Sequence, residues 1–337
     1  MKHRVLFLSI IYIFFLSYAE TQIYSMKPSH STEISSPDAS LSNIGGIPFL
    51  IDGLHLKTGT SADFMQCSGF SIQPFLPYTK AVYIHDRWAV SAAAGREDCG
   101  SYDYTGGSCS GLQFKNTISY VQAGTAYRFS SFVSAGAACA WIHGQQSLNG
   151  SSSDFNSAAD GVLSTFGIYV SDHGLFDYSL QYRTGTKLQY SGYRCDIPPA
   201  FIFGAGMYLL EELKLQAGFS YMIQDWCTRQ DCISGSTYNC DNAWSLGIGI
   251  DCRFSIQFGM TADITYTNQG QNDSSWNKLD PQLNSTAAEL SLEYHLLDNC
   301  TLAADYTYTK YIPETYREEQ IDKTGQTISL SVTYKPL

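Results

Sequence analysis

The chain has 337 residues, of which 44% are hydrophobic, 14% aromatic and only 15% charged, and its formal net charge is -11. That acidity excludes nucleic acid as a partner, because phosphate binding needs a basic footprint. The apolar content is too high for a disordered chain, and the heavy use of Tyr, Gly, Ser and Thr leans towards an all-β chain with many turns.

In chain order, Met1-Lys2-His3-Arg4 is a basic start, Val5 to Tyr18 is almost wholly apolar, and Ser17-Tyr18-Ala19 has the small-x-small shape of a signal-peptidase site. The apolar run is shorter than the ~20 residues of a spanning helix, so 1–19 reads as a secretory signal peptide. Residues 20–46 are polar with Ser and Pro and read as an N-terminal tail or a reduced plug. The remainder, 47–337, holds no further run of membrane-helix length. A membrane location then requires a β-barrel.

Period-two alternation dominates that remainder. Phe254, Ile256, Phe258, Met260, Ala262, Ile264 and Tyr266 are separated by Ser255, Gln257, Gly259, Thr261, Asp263 and Thr265. The same pattern runs through Phe176–Tyr182, Leu213–Ile223, Ala288–Leu296 and Ile328–Tyr334. Each segment has one greasy and one polar face, as the wall of a barrel with a polar lumen requires. Tight connections near Asp86, Phe129, Asp172, Glu211, Asp251 and Asp298 alternate with long polar loops at roughly 96–112, 146–160, 187–199, 226–242, 268–283 and 312–326. Short turns at one end and long loops at the other is the asymmetry of outer-membrane barrels. About 14 strands result, from 49–57 and 71–82, through 161–171, 243–251 and 254–267, to 300–311 and 327–335. Twelve is the alternative if the first two fail. The predicted fold is a transmembrane antiparallel up-and-down β-barrel.

Residues across roughly 71–335 resemble the FadL-type outer-membrane transporters of long-chain fatty acids and aromatic hydrocarbons. Ile118 to Arg128 followed by Phe132 to Ala140 is similar to the family's strand, tight turn and Gly/Ala-rich strand. Tyr182-Arg183-Thr184 leads to Lys187-Leu188 and Gly192 like its tyrosine-arginine strand end. Pro198-Pro199-Ala200, Gly204-Ala205-Gly206 and Leu213 to Trp226 resemble its next hairpin, and Leu290 to Tyr308 a late one. The resemblance implies 14 strands and an N-terminal hatch in the lumen. Here Asp38-Ala39-Ser40 and Asn43-Ile44-Gly45-Gly46 look like a shortened hatch, with Asn43, Gly45 and Gly46 in its turn. The end, Tyr334-Lys335-Pro336-Leu337, lacks the terminal Phe common in such barrels.

The polar faces supply candidate lumen or ligand-binding residues: Arg183, Lys214, Asp263, Glu289, Glu293, His295 and Asp305. Arg183, Lys214 or His295 would meet a carboxylate by charge-assisted hydrogen bonds, whereas a lattice of salt bridges in a wet interior is the plainer reading of all seven. Pro74 and Pro77 interrupt strand 71–82, since proline cannot donate to a ladder. The resemblance implies a lateral opening of the wall there, and the end of a short strand is the rival. The chain has 10 Cys. Secretion permits disulfides, with Cys99–Cys109 the simplest bridge and two of Cys227, Cys232 and Cys240 able to pair. The odd one is available to another envelope protein. The spacing of those three has no nearby His to make a zinc site, and no metal or other cofactor is expected. No Gly-x-Ser-x-Gly elbow, His-Glu-x-x-His or phosphate loop is present, so no enzyme is expected.

The sequence thus points to the bacterial outer membrane, with the lipid bilayer and a hydrophobic small molecule as partners and a monomer as the default. The expected function is passive uptake of hydrophobic compounds, long-chain fatty acids being the class the resemblance implies. A general diffusion porin is the alternative, and a cysteine-cross-linked structural or adhesive surface protein a further one.

Overall fold

The computed structural model describes residues 43–67, 70–98, 102–103, 113–150, 154–172, 175–190, 193–210, 212–223, 229–230, 237–238, 241–270, 283–316, 319–321 and 323–335. The signal peptide, tail residues 20–42 and Cys99, Cys109, Cys227, Cys232 and Cys240 lie outside the described residues.

Alternating β-branched, aromatic and hydroxyl residues form long strands because one face can meet lipid while the other lines a lumen. Fourteen barrel strands follow in chain order: β1 (Gly53–Cys67), β2 (Phe70–His85), β3 (Trp88–Asp98), β4 (Gln113–Arg128), β5 (Val133–Asn149), β6 (Phe155–Ser171), β7 (Phe176–Arg183), β8 (Ala200–Leu210), β9 (Leu213–Met222), β10 (Ala243–Arg253), β11 (Phe258–Asn268), β12 (Ser285–Leu297), β13 (Cys300–Tyr311) and β14 (Lys323–Tyr334). Each pairs antiparallel with its neighbour in sequence, and β1 pairs with β14 from Leu56↔Tyr334 to Cys67↔Lys323. The ring therefore closes on itself, which is what allows strands to cross a bilayer.

The outward face is apolar. Val121, Ile168, Leu180, Phe203, Ile248, Ile264, Leu290, Leu330 and their neighbours are large, hydrophobic and exposed. Aromatic contacts flank this band at both ends. Trp88–Tyr127 (ring centroids 4.7 Å apart) and Phe258–Tyr294 (4.9 Å) lie towards the short turns, and Tyr182–Phe201 (4.9 Å) and Trp244–Tyr266 (5.4 Å) towards the long connections. An apolar band between aromatic girdles is the lipid-facing wall of a membrane barrel.

Three expected boundaries shift. The first strand begins at Gly53 rather than 49 and runs to Cys67 rather than 57, because β2 and β14 hold it from both sides despite Gly59 and Asp63. The alternating run from 254 to 267 does not all lie in a strand. The turn expected near Asp251 sits at 254–257, where the Phe254 N–H donates to the Phe258 carbonyl (3.0 Å) and Ser255 Oγ accepts from Phe258 N–H (3.0 Å). Ile256 at its tip is 90% exposed, so the alternation continued into a turn at the membrane boundary. The loop expected at 146–160 shrinks to 150–154, since β5 and β6 pair as far as Leu148↔Phe155.

Candidate functional site: the lumen

The inner wall has two unlike halves. On β10–β14 the inward positions are mostly Ser, Thr and acids, with small Gly and Ala between them. On β2–β6 they are largely apolar, and two clusters lie along them. One joins Ile118, Tyr120, Ile142 and Leu163 to Leu188, Tyr190 and Ile197. The other joins Val82, Ile84 and Ala89 to Ile44 and Ile47.

Leu188, Tyr190 and Ile197 belong to the connection between β7 and β8. It is a hairpin, Thr186–Tyr190 against Tyr193–Ile197, rather than an irregular loop. The hairpin lies against the inner wall. Thr186 Oγ1 accepts from the Val162 N–H (3.2 Å). A Cβ on Gly161 would come within 2.9 Å of Leu188, and one on Gly144 would overlap the Tyr190 hydroxyl. Glycine at these two inward positions makes room for the close approach.

The second cluster is built on the segment expected as a plug. Residues Ile44–Phe49 form a 3-10 helix that spans the expected boundary at 46/47 and packs inside the ring on β2–β7. Asn43 caps it, its Oδ1 accepting from the Gly46 N–H at 3.1 Å. The Gly45 carbonyl accepts from Ser134 Oγ, and Ile44 N–H donates to Gln181 Oε1 at 3.4 Å. Backbone meets backbone here. A Cβ on Gly45 would lie 3.0 Å from the Gly167 carbonyl oxygen, and one on Gly136 would lie 2.7 Å from that of Ile44. Asn43, Gly45 and Gly46, expected in the plug turn, are buried at this contact.

The seven charged residues expected in the lumen are spread around it rather than gathered. Lys214 (β9) sits 2.7 Å from Asp177 (β7), and both are buried. Ser171 Oγ donates to the other oxygen of Asp177 (2.9 Å). Asp263 and Glu289 face each other on the β11–β12 ladder, with Thr307 Oγ1 donating to Glu289 (3.0 Å). Ser291 Oγ donates to Asp305. His295 lies 2.8 Å from Thr301 Oγ1, and Glu293 faces Gly259 and Ala303. Arg183 is buried at the far end of β7, opposite Ala200. The hydroxyl–carboxylate pairs form a polar lattice on β11–β13, while the Lys214–Asp177 ion pair lies apart on β7–β9. The apolar half was missed as a site because continuous runs such as Ala138-Cys139-Ala140-Trp141-Ile142 read only as strand. Their lack of alternation was the available signal.

The wall itself is uneven at β2. Its ladder with β3 runs only from Tyr78↔Gly95 to His85↔Trp88. Among the described residues no ladder pair joins Phe70–Pro77 to β3, while β3 continues along β4 to Asp98↔Thr117. On its other side β2 has a bulge. Leu76 pairs with Ser61 and Pro74 with Ala62, so Phe75 is extra. Pro74 and Pro77 thus flank a bulge on a stretch paired on one side, where missing N–H donors are tolerated.

No protein-family model matches the sequence, and no curated protein matches it. Solved structures do. A Pseudomonas aeruginosa FadL homologue superposes with a TM-score of 0.75 at 14% identity, covering 94% of this chain and 99% of that one. The CymD monoaromatic hydrocarbon channel gives 0.71 at 11% identity, with 94% and 99% covered. The Pseudomonas putida toluene transporter TodX gives 0.70 at 11%, with 94% and 98% covered. The chain has the FadL-type fold. The likeness spans the ring and its lumen rather than a local hairpin, in agreement with the order of strands across 71–335.

Proposed function

We propose that this protein is a bacterial outer-membrane channel for passive uptake of hydrophobic small molecules, with long-chain fatty acids as the ligand class. One observation carries the reading: an apolar inner face on β2–β6, running from the hairpin residues Leu188 and Tyr190 to the plug residues Ile44 and Ile47. A pore for hydrophilic solutes has no use for such a face, because apolar surface lining water is costly at ~25 cal/mol per Å². The toluene and hydrocarbon channels of the same fold support the same class. Entry is past the hairpin. Exit is sideways, where Pro74 and Pro77 interrupt the β2 ladder. The polar lattice of Asp263, Glu289, Glu293, His295 and Asp305 solvates the opposite wall.

The test is planar-bilayer conductance of the refolded protein with and without oleate, with oleate binding measured in parallel. Little conductance and saturable binding are expected. Large, steady openings that ignore oleate would make the protein a general diffusion porin.

A further inference from the structure

Among the described residues, the outward positions of β7–β12 carry no charged side chain. Those of β3–β6 differ. Arg96, Ser119, His143 and Asp160 share one outward rung across these four strands. From Trp88 to Arg96 the chain climbs ~26 Å along β3, or ~20 Å in height at a strand tilt of ~40°. The rung therefore lies near the top of an apolar band ~25 Å tall, on the long-loop side. Outward side chains at this level meet the head groups of the outer leaflet rather than its acyl chains.

The charges of this face are sorted by side. On the β6 side the acid is engaged, because His143 Nδ1 lies 2.9 Å from Asp160 Oδ1. The Trp141 ring stacks on His143 from the next outward position below (centroids 5.7 Å apart, 25° between planes). On the β3 side Arg96 leans along the wall, and its Nη2 donates to Thr117 Oγ1 (3.1 Å). The guanidinium thereby reaches the neighbourhood of Lys115, the next outward residue of β4. Lys115 is exposed and has no hydrogen-bond or ion-pair partner among the described residues. A guanidinium, a hydroxyl and an ammonium so converge around Thr117. Below them the wall is shallow, since Ala92, Ala123 and Cys139 share an outward rung. Small side chains there let an acyl chain lie close against the strands.

We propose that Arg96, Lys115 and Thr117 form a site on the outer wall for the phosphate of a multi-acyl lipid of the outer leaflet, whose chains lie over Ala92, Ala123 and Cys139. The site is on the lipid side of the barrel and does not depend on what the lumen carries. The Arg96 fork offers paired donors to the phosphate oxygens, and Lys115 adds a compact charge. His143 keeps the Asp160 carboxylate on the far side of β5, away from the phosphate. The absence of outward charge on β7–β12 confines such a site to this sector of the ring.

The experiment titrates the refolded full chain in detergent micelles with lipid A and, in parallel, with lipid A stripped of its phosphates, and counts bound lipid by native mass spectrometry. One lipid A per barrel is expected, bound at least roughly tenfold more tightly than the dephosphorylated form. Arg96→Gln/Lys115→Gln is expected to abolish that preference and keep the heat-modified gel shift of a folded barrel. Lys310→Gln removes an outward cation on β13 and is expected to leave the preference intact. Equal binding of the two lipids by wild-type protein would overturn the site, and that comparison needs no variant to fold. An equal loss in Lys310→Gln would overturn it too, by showing diffuse attraction. A dimer that forms with neither lipid present and dissociates in Arg96→Gln/Lys115→Gln would make this face a contact between copies instead.

Discussion

Replacing Gly136 with Val tests whether the plug closes the lumen. A Cβ at this position lies 2.7 Å from the carbonyl oxygen of Ile44 and 2.9 Å from the Cβ of Ala126. The two valine methyls enlarge the overlap. Residue 136 is held by uninterrupted ladders, Gln113↔Asn149 to Arg128↔Ser134 on one side and Val133↔Val170 to Leu148↔Phe155 on the other. Among the described residues the inner segment is a single short helix, so it is this segment that moves. Ile44 and Ile47 are both fully buried. At ~1.5–3 kcal/mol per buried side chain, losing both contacts costs roughly 3–6 kcal/mol. That is about two to four powers of ten in the equilibrium between seated and displaced plug. Single-channel recording is the assay. Gly136→Val is expected to open steadily where the wild type stays closed. Gly259→Ala is the matched control: it is also inward-facing, but its Cβ would meet Glu293 at an ordinary 3.7 Å. A Gly136→Val barrel that keeps its heat-modified gel shift and conducts no more than wild type would refute the reasoning.

Three further outcomes follow from the same geometry. Asp177→Asn strands the buried Lys214 charge and is expected to destabilise the barrel by roughly 3–5 kcal/mol; thermal unfolding in detergent should show the loss, and Asp177→Asn/Lys214→Met should recover most of it. Pro74→Ala/Pro77→Ala restores two N–H donors to β2 and is expected to slow ligand uptake several-fold while leaving ligand binding intact; unchanged uptake would rule out an exit at this stretch. Cys139 is exposed on the outward face of β5, so with the other nine cysteines replaced by Ser it is expected to react in liposomes with a membrane-soluble maleimide but not with a sulfonated one.

The ring was legible because alternation is strict wherever lipid lies on one side and a polar lumen on the other. Leu213–Tyr221, Ala288–Leu296 and Ile328–Tyr334 sort their side chains as the sequence implies, which is why Lys214, Asp263, Glu289 and Asp305 are buried on the inner face. The close approach of residues 43–46 to the inner wall has a signal in Asn43 and the Gly45-Gly46 pair, since a cap and small residues suit such a contact. Alternation fails where its physical cause disappears. At Phe254 and Ile256 the chain leaves the bilayer as a turn, yet apolar side chains still suit the interface. In β5 the inward Ala138, Ala140 and Ile142 meet apolar neighbours just as the outward Trp141 meets lipid, so no contrast marks the faces. The bulge at Phe75 was hidden for another reason: it depends on the register of β1 against β2, which spacing along the chain does not encode.

The segments that cover the apolar half explain how such a lumen differs from a water-filled pore. Ile44 and Ile47 cover its lower end and Leu188, Tyr190 and Ile197 its upper end, and all five come from segments outside the ring's own strands. Withdrawing either segment into water exposes apolar surface on both the segment and the wall. Neither opens cheaply on its own. A hydrophobic ligand changes that balance, because it re-covers the wall as the segment leaves. In the proposed channel, access is therefore coupled to ligand, and a polar solute, which cannot cover the wall, would gain no passage. The polar wall on β10–β14 needs no such partner, since hydroxyls and carboxylates are readily solvated. On the proposed function, the segregation of the two halves would make the barrel selective by the hydrophobicity of what enters.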